Sequence, residues 1–275
     1  MTILKAILLT LLLIFLFSLT QLSFVLLIYK TELLPEYFEE HILITTSISF
    51  IVAYLAMFKY FWKPKLNINK ALDIKSYNPK FLPSLILIVF GLQFLDRPFW
   101  DLGKIWNYFN YSEFEPEFST FKGFSPAFFY QSFSMLIIAP ILEELFFRKF
   151  LLKKLMIKNG QKVGIIISSF CFAIIHIETP YNLIPTFIFG IISSLIFIKT
   201  KKIGYSIFLH FLVNLLVQTL YVFDSTFDRW LLDLNFNYIY WIMFIVGIGL
   251  TFIGTKNYWQ HCIKKIGQVS AKPNV

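Results

Sequence analysis

The stretch APILEELFFRKFLLKK, residues 139–154, places Glu143, Glu144 and Arg148 within a largely apolar run, ahead of three lysines near its end. A charged side chain deep in a membrane helix costs about 2.5–3.5 kcal/mol on insertion scales and usually faces a bundle interior or a wet cavity. Two interpretations follow. Either the apolar segment ends near Leu142 and the charges snorkel to the membrane surface, or they lie inside the membrane and have partners there.

The amino-acid composition is typical of an integral membrane protein. Of its 275 residues 57% are hydrophobic and 15% charged, whereas soluble domains carry about 25% charged residues. Neither an internal repeat nor a soluble domain is visible, so we predict one all-α domain over residues 1–275, a polytopic membrane helix bundle. Windows of about 20 apolar residues predict eight transmembrane helices, at 6–29, 42–62, 81–97, 125–149, 163–178, 182–198, 204–223 and 237–255.

The 25 lysines and arginines are distributed unevenly about these segments: 20 fall on the side that holds both termini and 5 on the other. The positive-inside rule therefore predicts that both termini are cytoplasmic. The net charge of +9 is then explained by topology and by contact with anionic lipid, and nucleic acid is not an expected partner. The first apolar run continues without a small-x-small cleavage site, which predicts a span and not a signal peptide.

Two further features are less informative. The two cysteines, Cys171 and Cys262, are too few for a disulfide framework or a thiolate metal site. The loop 97–123 interleaves aromatic and acidic residues on the outer side, which favours an aromatic belt at the bilayer interface over a ligand site.

The spacing of the three charges predicts different roles for the two glutamates. Glu144 and Arg148 are four residues apart with the acid first, which is the favourable order for an ion pair on a helix. Glu143 points about 100° away from Glu144 on a helix of 3.6 residues per turn. It is therefore the carboxylate without a predicted ionic partner.

Other polar residues recur in the neighbouring spans. His176 lies in the fifth, and His210 and Asn214 lie four residues apart in the seventh, so the latter two project from one helix face. A single histidine on an apolar helix is more often a hydrogen-bonded core residue than a catalyst. Spans four and five form a hairpin around IKNGQK, with Glu143 and His176 equally far from its midpoint, so we expect a shared site in the cytoplasmic half of the bilayer.

Three segments together resemble a known family. EELFFR at 143–148, FAIIH at 172–176 and HFLVN at 210–214 are similar, in this order, to the EExxxR, FxxxH and HxxxN/D motifs of the CPBP family, also called the Abi or type II CAAX prenyl endopeptidase family. The resemblance covers about residues 125–223, the family's core. Outside it the chain is similar only in being hydrophobic.

The resemblance implies an intramembrane protease and assigns roles to the motif residues. Glu143 is then the general base that activates water, aided by His176, and His210 and Asn214 stabilise the oxyanion. Glu144 and Arg148 hold the fourth span in place, and Phe172 packs beside His176. Catalysis without a metal is favoured, since Asn214 is a poor zinc ligand. Zinc remains an alternative cofactor, with Glu143, His176 and His210 as its ligands.

Two other functional classes stay open: a non-catalytic immunity or partner-binding membrane protein of the same family, and a proton-coupled transporter, which also needs intramembrane acids and histidines. The expected partners of a protease are the lipid bilayer and a membrane-associated peptide or protein substrate. A chain heavy in Phe, Ile, Lys and Asn favours the cytoplasmic membrane of a bacterium.

Overall fold

The structure, a computed structural model, describes residues 1–30, 38–62, 78–111, 121, 123–223 and 226–270. Within these residues every regular element is helical and no strand occurs, so the predicted all-α class is confirmed. Residues 112–120 and 122 of the predicted aromatic belt, and most of the lysine-rich segment after the second span, lie outside the described residues.

The helices are labelled in chain order. They are α1 (Ile3–Lys30), α2 (Phe38–Phe61), α3 (Leu82–Trp100), α4 (Leu102–Tyr111), α5 (126–159), α6 (Gln161–Ile174), α7 (Leu183–Thr200), α8 (Ile203–Val222), α9 (Thr226–Asp233) and α10 (Tyr238–Ser270). Each of the eight predicted spans has a counterpart among them. Six described helical stretches are long and apolar enough to cross a membrane, and α6 is a shorter apolar helix.

The structure differs from the sequence prediction in three segments. The fifth span was predicted to continue to residue 178, but α6 ends at Ile174. His176 therefore lies in the turn that follows the helix, where its backbone N–H donates to the Ala173 carbonyl. Helices α4 and α9 occupy segments that were predicted as loops.

Contacts between helix ends define two faces of the bundle. At the first, the Met1 amine donates to the Lys154 carbonyl oxygen (2.9 Å), and the Asn78 N–H donates to the Tyr205 hydroxyl (2.8 Å). We call this the basic face. At the opposite or distal face, the rings of Trp100 and Tyr181 lie 4.9 Å apart and those of Phe121 and Tyr221 5.6 Å apart.

Helices α3 and α10 pack backbone to backbone. A Cβ atom at Gly91 would lie 2.5 Å from the Thr251 nitrogen, and one at Gly247 would lie 2.5 Å from the Leu95 nitrogen. Small residues permit this approach, which membrane helices use because burial from water does not drive their association in lipid. The contact fixes the position of α3.

Candidate active site

The helix that carries the two glutamates, α5, is irregular on both sides of them. A regular segment, Ala139–Glu144, lies between the π-helical segments Ser134–Ile138 and Leu145–Leu152. Pro140 has no N–H and its ring would collide with a carbonyl of the preceding turn in a regular helix. The wider π turn, in which the Ala139 N–H donates to Ser134, accommodates it. Such π insertions are frequent at functional sites.

The ion pair predicted between Glu144 and Arg148 is present, and it is fully buried. Arg148 Nε lies 3.2 Å from Glu144 Oε2, and both side chains have an exposed fraction of 0%. The alternative in which these charges snorkel to the membrane surface is therefore excluded. The guanidinium also lies over the Phe172 ring, 4.7 Å from its centroid, an arrangement in which the aromatic face attracts the cation.

A serine that the sequence analysis did not single out completes this ion pair. Ser193 of α7 donates a hydrogen bond of 2.6 Å to Glu144 Oε2 and accepts one of 3.2 Å from Arg148 Nε. The Ser193 carbonyl oxygen in turn accepts from Ser206 of α8 (3.2 Å). The ion pair thus joins α5 to α7 and α8. In the sequence Ser193 is one of several serines in apolar helices, and nothing local distinguishes it.

Glu143 has different surroundings from its neighbour. Its Oε2 atom is buried and accepts no hydrogen bond from the described residues, and it lies 3.8 Å from His210 Nε2. The other ring nitrogen of His210, Nδ1, lies 3.4 Å from Glu144 Oε1. His210 is therefore held between the two carboxylates. A separation of 3.8 Å is longer than a hydrogen bond, so Glu143 and His210 both retain capacity to bind a third group.

His176 has a defined orientation although it lies in a turn. Its Nδ1 atom is 3.1 Å from the Phe172 carbonyl oxygen. A carbonyl only accepts hydrogen bonds, so Nδ1 carries the proton and Nε2 of the neutral ring is an acceptor. The rings of His176 and Phe172 lie 5.1 Å apart, so Phe172 packs beside His176.

Asn214 is anchored to the irregular part of α5. Its Nδ2 atom donates a hydrogen bond of 2.7 Å to the Met135 carbonyl oxygen, which lies in the first π segment. An amide nitrogen carries two hydrogens, so the second remains for a ligand. One turn further along α8, Gln218 donates to Ser132 of α5 (3.0 Å).

A cavity of about 1050 Å³ brings together the four predicted catalytic residues and Phe172. Glu143, His176, His210 and Asn214 all line it, whereas Glu144 and Arg148 do not. Glu143 lies near the middle of α5, 16 residues before its end at Asn159.

The alternative zinc site does not fit this arrangement. The described residues contain no group of three or more His, Cys, Asp or Glu side chains that could hold a metal ion. With Nδ1 of His176 bound to the Phe172 carbonyl, Nε2 is the ring nitrogen that remains for a ligand. No catalytic step is therefore assigned to a metal.

Comparison with known proteins adds to this geometry. Residues 125–216 match the family model described as type II CAAX prenyl endopeptidase Rce1-like. The match covers a third of the chain and contains all three motif segments, so the resemblance recognised from these motifs is confirmed. With six described helical stretches that are long and apolar enough to cross a membrane, the chain is an integral membrane protein.

One relative and the solved structures extend the comparison. Over 98 residues the chain is 36% identical to the UPF0177 protein YaiH of Lactococcus lactis subsp. lactis (strain IL1403), a match that covers 36% of this chain and 40% of the relative. The chain thus spans less than half the length of this curated relative. No solved structure matches the chain significantly.

Proposed function

We propose that the protein is an intramembrane endopeptidase that hydrolyses a peptide bond of a membrane-associated protein or peptide with a water molecule activated by Glu143. One observation carries the proposal. Of two adjacent buried glutamates, Glu144 is held by an arginine and a serine and does not line the cavity, whereas Glu143 lines the cavity and faces His210 there.

Glu143 is placed for general base catalysis. Its carboxylate accepts a proton from water while the water oxygen attacks the peptide carbonyl carbon, which gives a tetrahedral intermediate with a negatively charged oxygen. When the carbon–nitrogen bond breaks, the same proton passes to the departing amine. The products are a carboxylic acid, which then loses its proton to water, and an amine; no oxidant or reductant is needed.

Two donors on α8 can stabilise the developing oxyanion. His210 Nε2 lies 3.8 Å from Glu143 Oε2, so a carbonyl whose carbon is attacked by a Glu143-bound water comes close to this nitrogen. Asn214 supplies its remaining amide hydrogen. Donors already oriented toward an oxyanion need no rearrangement during the reaction, and the loss of one commonly costs about 100–1000-fold in rate.

His176 and the ion pair have supporting roles in this proposal. Nε2 of His176 can accept a hydrogen bond from the attacking water while the Phe172 carbonyl holds the ring. The pair of Glu144 and Arg148, with Ser193, fixes the part of α5 that carries Glu143. Glu144 Oε1 also lies 3.4 Å from His210 Nδ1, so the ring of His210 turns its other nitrogen, Nε2, toward Glu143.

The decisive experiment replaces Glu143 by glutamine. The amide keeps the shape of the side chain but cannot take up a proton, so we expect Glu143→Gln to be inserted at normal yield and to abolish cleavage. Membrane and secreted peptides are compared between cells that express the wild type, Glu143→Gln or the control Glu178→Gln, which changes an exposed glutamate outside the cavity. Identical peptide sets in all three strains would favour a binding function instead.

A further inference from the structure

The cavity has a direction within the bundle. Along α3 and the residue that follows it, the lining of the cavity runs from Val89 to Asp101, and along α8 it runs from His210 to Tyr221. At 1.5 Å per residue these stretches are about 18 Å and about 16 Å long. Both lead from the middle of the bundle to the distal face, where Trp100 and Tyr221 lie. Glu143 and His210 are therefore at the inner end of the cavity.

The exposed fraction of the lining residues rises from the inner end of the cavity to its distal end. Glu143 and His210 are 5% and 6% exposed, whereas Trp100 and Tyr181 at the other end are 42% and 48% exposed. The distal end is also charged. Asp101 lies 2.6 Å from Arg97 Nε and 3.6 Å from Lys104 Nζ. Asp101 is itself 1% exposed, whereas the side chains of Arg97 and Lys104 are 13% and 33% exposed. The cavity therefore opens at this end, beside Trp100, Tyr181 and Lys104.

The bundle is closed between the inner end of the cavity and the basic face. The next turns of α5 after Glu143 contain Phe147, Arg148 and Leu151, which are 0% exposed. Ser193 and Ser206, from α7 and α8, are also 0% exposed and are hydrogen-bonded to one another. None of these five residues lines the cavity. A peptide that approached from the basic face would have to break the buried ion pair.

We infer that the substrate reaches Glu143 from the distal face, opposite the lysine-rich connections. This inference rests on the proposed function and on the positive-inside rule, which places the basic face in the cytoplasm. The substrate class is then a peptide segment on the non-cytoplasmic side of the membrane, from an exported or membrane-anchored protein. An extended chain rises about 3.3 Å per residue, so about five residues span the cavity from its mouth to Glu143.

Cysteine labelling in intact cells tests this inference. The native Cys171 and Cys262 are first replaced by alanine, and single cysteines are then introduced. Val217→Cys and Leu220→Cys report on the cavity wall. Leu215→Cys is the matched control, because Leu215 lies on the same helix and is 37% exposed but does not line the cavity. Ile157→Cys, at an 84% exposed position, reports on the basic face.

A charged, membrane-impermeant maleimide is added before or after the inner membrane is permeabilised. We expect it to label Val217→Cys and Leu220→Cys in intact cells, Ile157→Cys only after permeabilisation, and Leu215→Cys at least tenfold more slowly than Val217→Cys. Three results would overturn the inference. Ile157→Cys could be labelled in intact cells, the cavity positions could be labelled only after permeabilisation, or Leu215→Cys and Val217→Cys could be labelled at equal rates.

The labelling does not depend on catalysis, so it separates this inference from the proposed function. Introduction of Glu143→Gln into the Val217→Cys protein should leave its labelling unchanged. If the cavity is labelled from outside and the peptide sets do not respond to Glu143→Gln, the access route stands and the protease proposal fails. If the cavity is not labelled from outside and the peptide sets do respond to Glu143→Gln, the protease proposal stands and the access route fails.

Discussion

Asn214 donates a hydrogen bond of 2.7 Å to the backbone carbonyl of Met135, 79 residues earlier in the chain. The bond connects the helix that carries His210 to the π turn that precedes Glu143. It holds the proposed oxyanion donors and the proposed base in one arrangement. Asn214 is thus expected both to stabilise the oxyanion and to position α8.

Replacement of Asn214 by alanine should lower kcat by about 100–1000-fold with little change in KM, because an oxyanion donor acts mainly in the transition state. The control is Gln218→Ala, which removes the neighbouring bond from α8 to Ser132 at a position that does not line the cavity. Kinetics on a substrate found by the peptide comparison are the measurement. Equal losses in both variants would assign Asn214 a purely structural role.

Two adjacent serines of α7 should differ in their effect on stability. Ser193 is hydrogen-bonded to Glu144 and Arg148, whereas Ser194 donates only to the Gly190 carbonyl of its own helix, and both are 0% exposed. A hydrogen bond to a charged group contributes about 1.5–3 kcal/mol. Ser193→Ala should therefore lower the melting temperature in detergent clearly more than Ser194→Ala. Equal melting temperatures would contradict this account of the ion pair.

Removal of the arginine should be more severe than removal of the serine. Arg148→Ala leaves Glu144 buried without its cation, and breaking a buried pair in this way costs about 3–5 kcal/mol. We expect low yield of folded protein together with loss of activity. Lys153→Ala, a change of an exposed cation on the same helix, is the control and should have the yield of the wild type. Normal yield and full activity of Arg148→Ala would show that the pair is dispensable.

The close contact of α3 and α10 predicts a contrast between two glycines of one helix. A side chain at Gly247 meets the α3 backbone, whereas a Cβ at Gly249 has nothing within 4 Å. Gly247→Leu should displace α3 and reduce both folded yield and activity, since α3 forms one wall of the cavity. Gly249→Leu should be tolerated. Yields are compared by size-exclusion chromatography, and a normal profile for Gly247→Leu would refute the packing.

Metal removal separates the two chemistries considered for the site. Under the glutamate mechanism, protein treated with a chelator should keep its activity and should not respond to added zinc. Metal content and activity are measured on the same preparation. About one zinc ion per chain, together with loss of activity on chelation and its recovery on zinc addition, would support the alternative ligand set of Glu143, His176 and His210.

Local features of the sequence determined the helical class of the protein and part of its candidate site. Apolar run lengths predicted a helical membrane bundle because backbone groups in lipid must be satisfied within helices. The ion pair of Glu144 and Arg148 followed from their spacing alone, since residues four apart meet on any helix. The three motifs pointed to the family whose model matches residues 125–216 and to five of the residues that line the cavity. In each case the information lies within one helix or one short segment.

Contacts between distant segments were decided only by the tertiary structure. Ser193 joins the ion pair, and His210 lies between two carboxylates, because α7 and α8 pack against α5 at one particular rotation and depth. His176 lies beyond the end of α6 because that helix stops before the predicted span does. The cavity leads to the distal face because its walls come from α3, α5, α7 and α8 together. No single helix encodes that direction, since it depends on which faces the other helices leave uncovered.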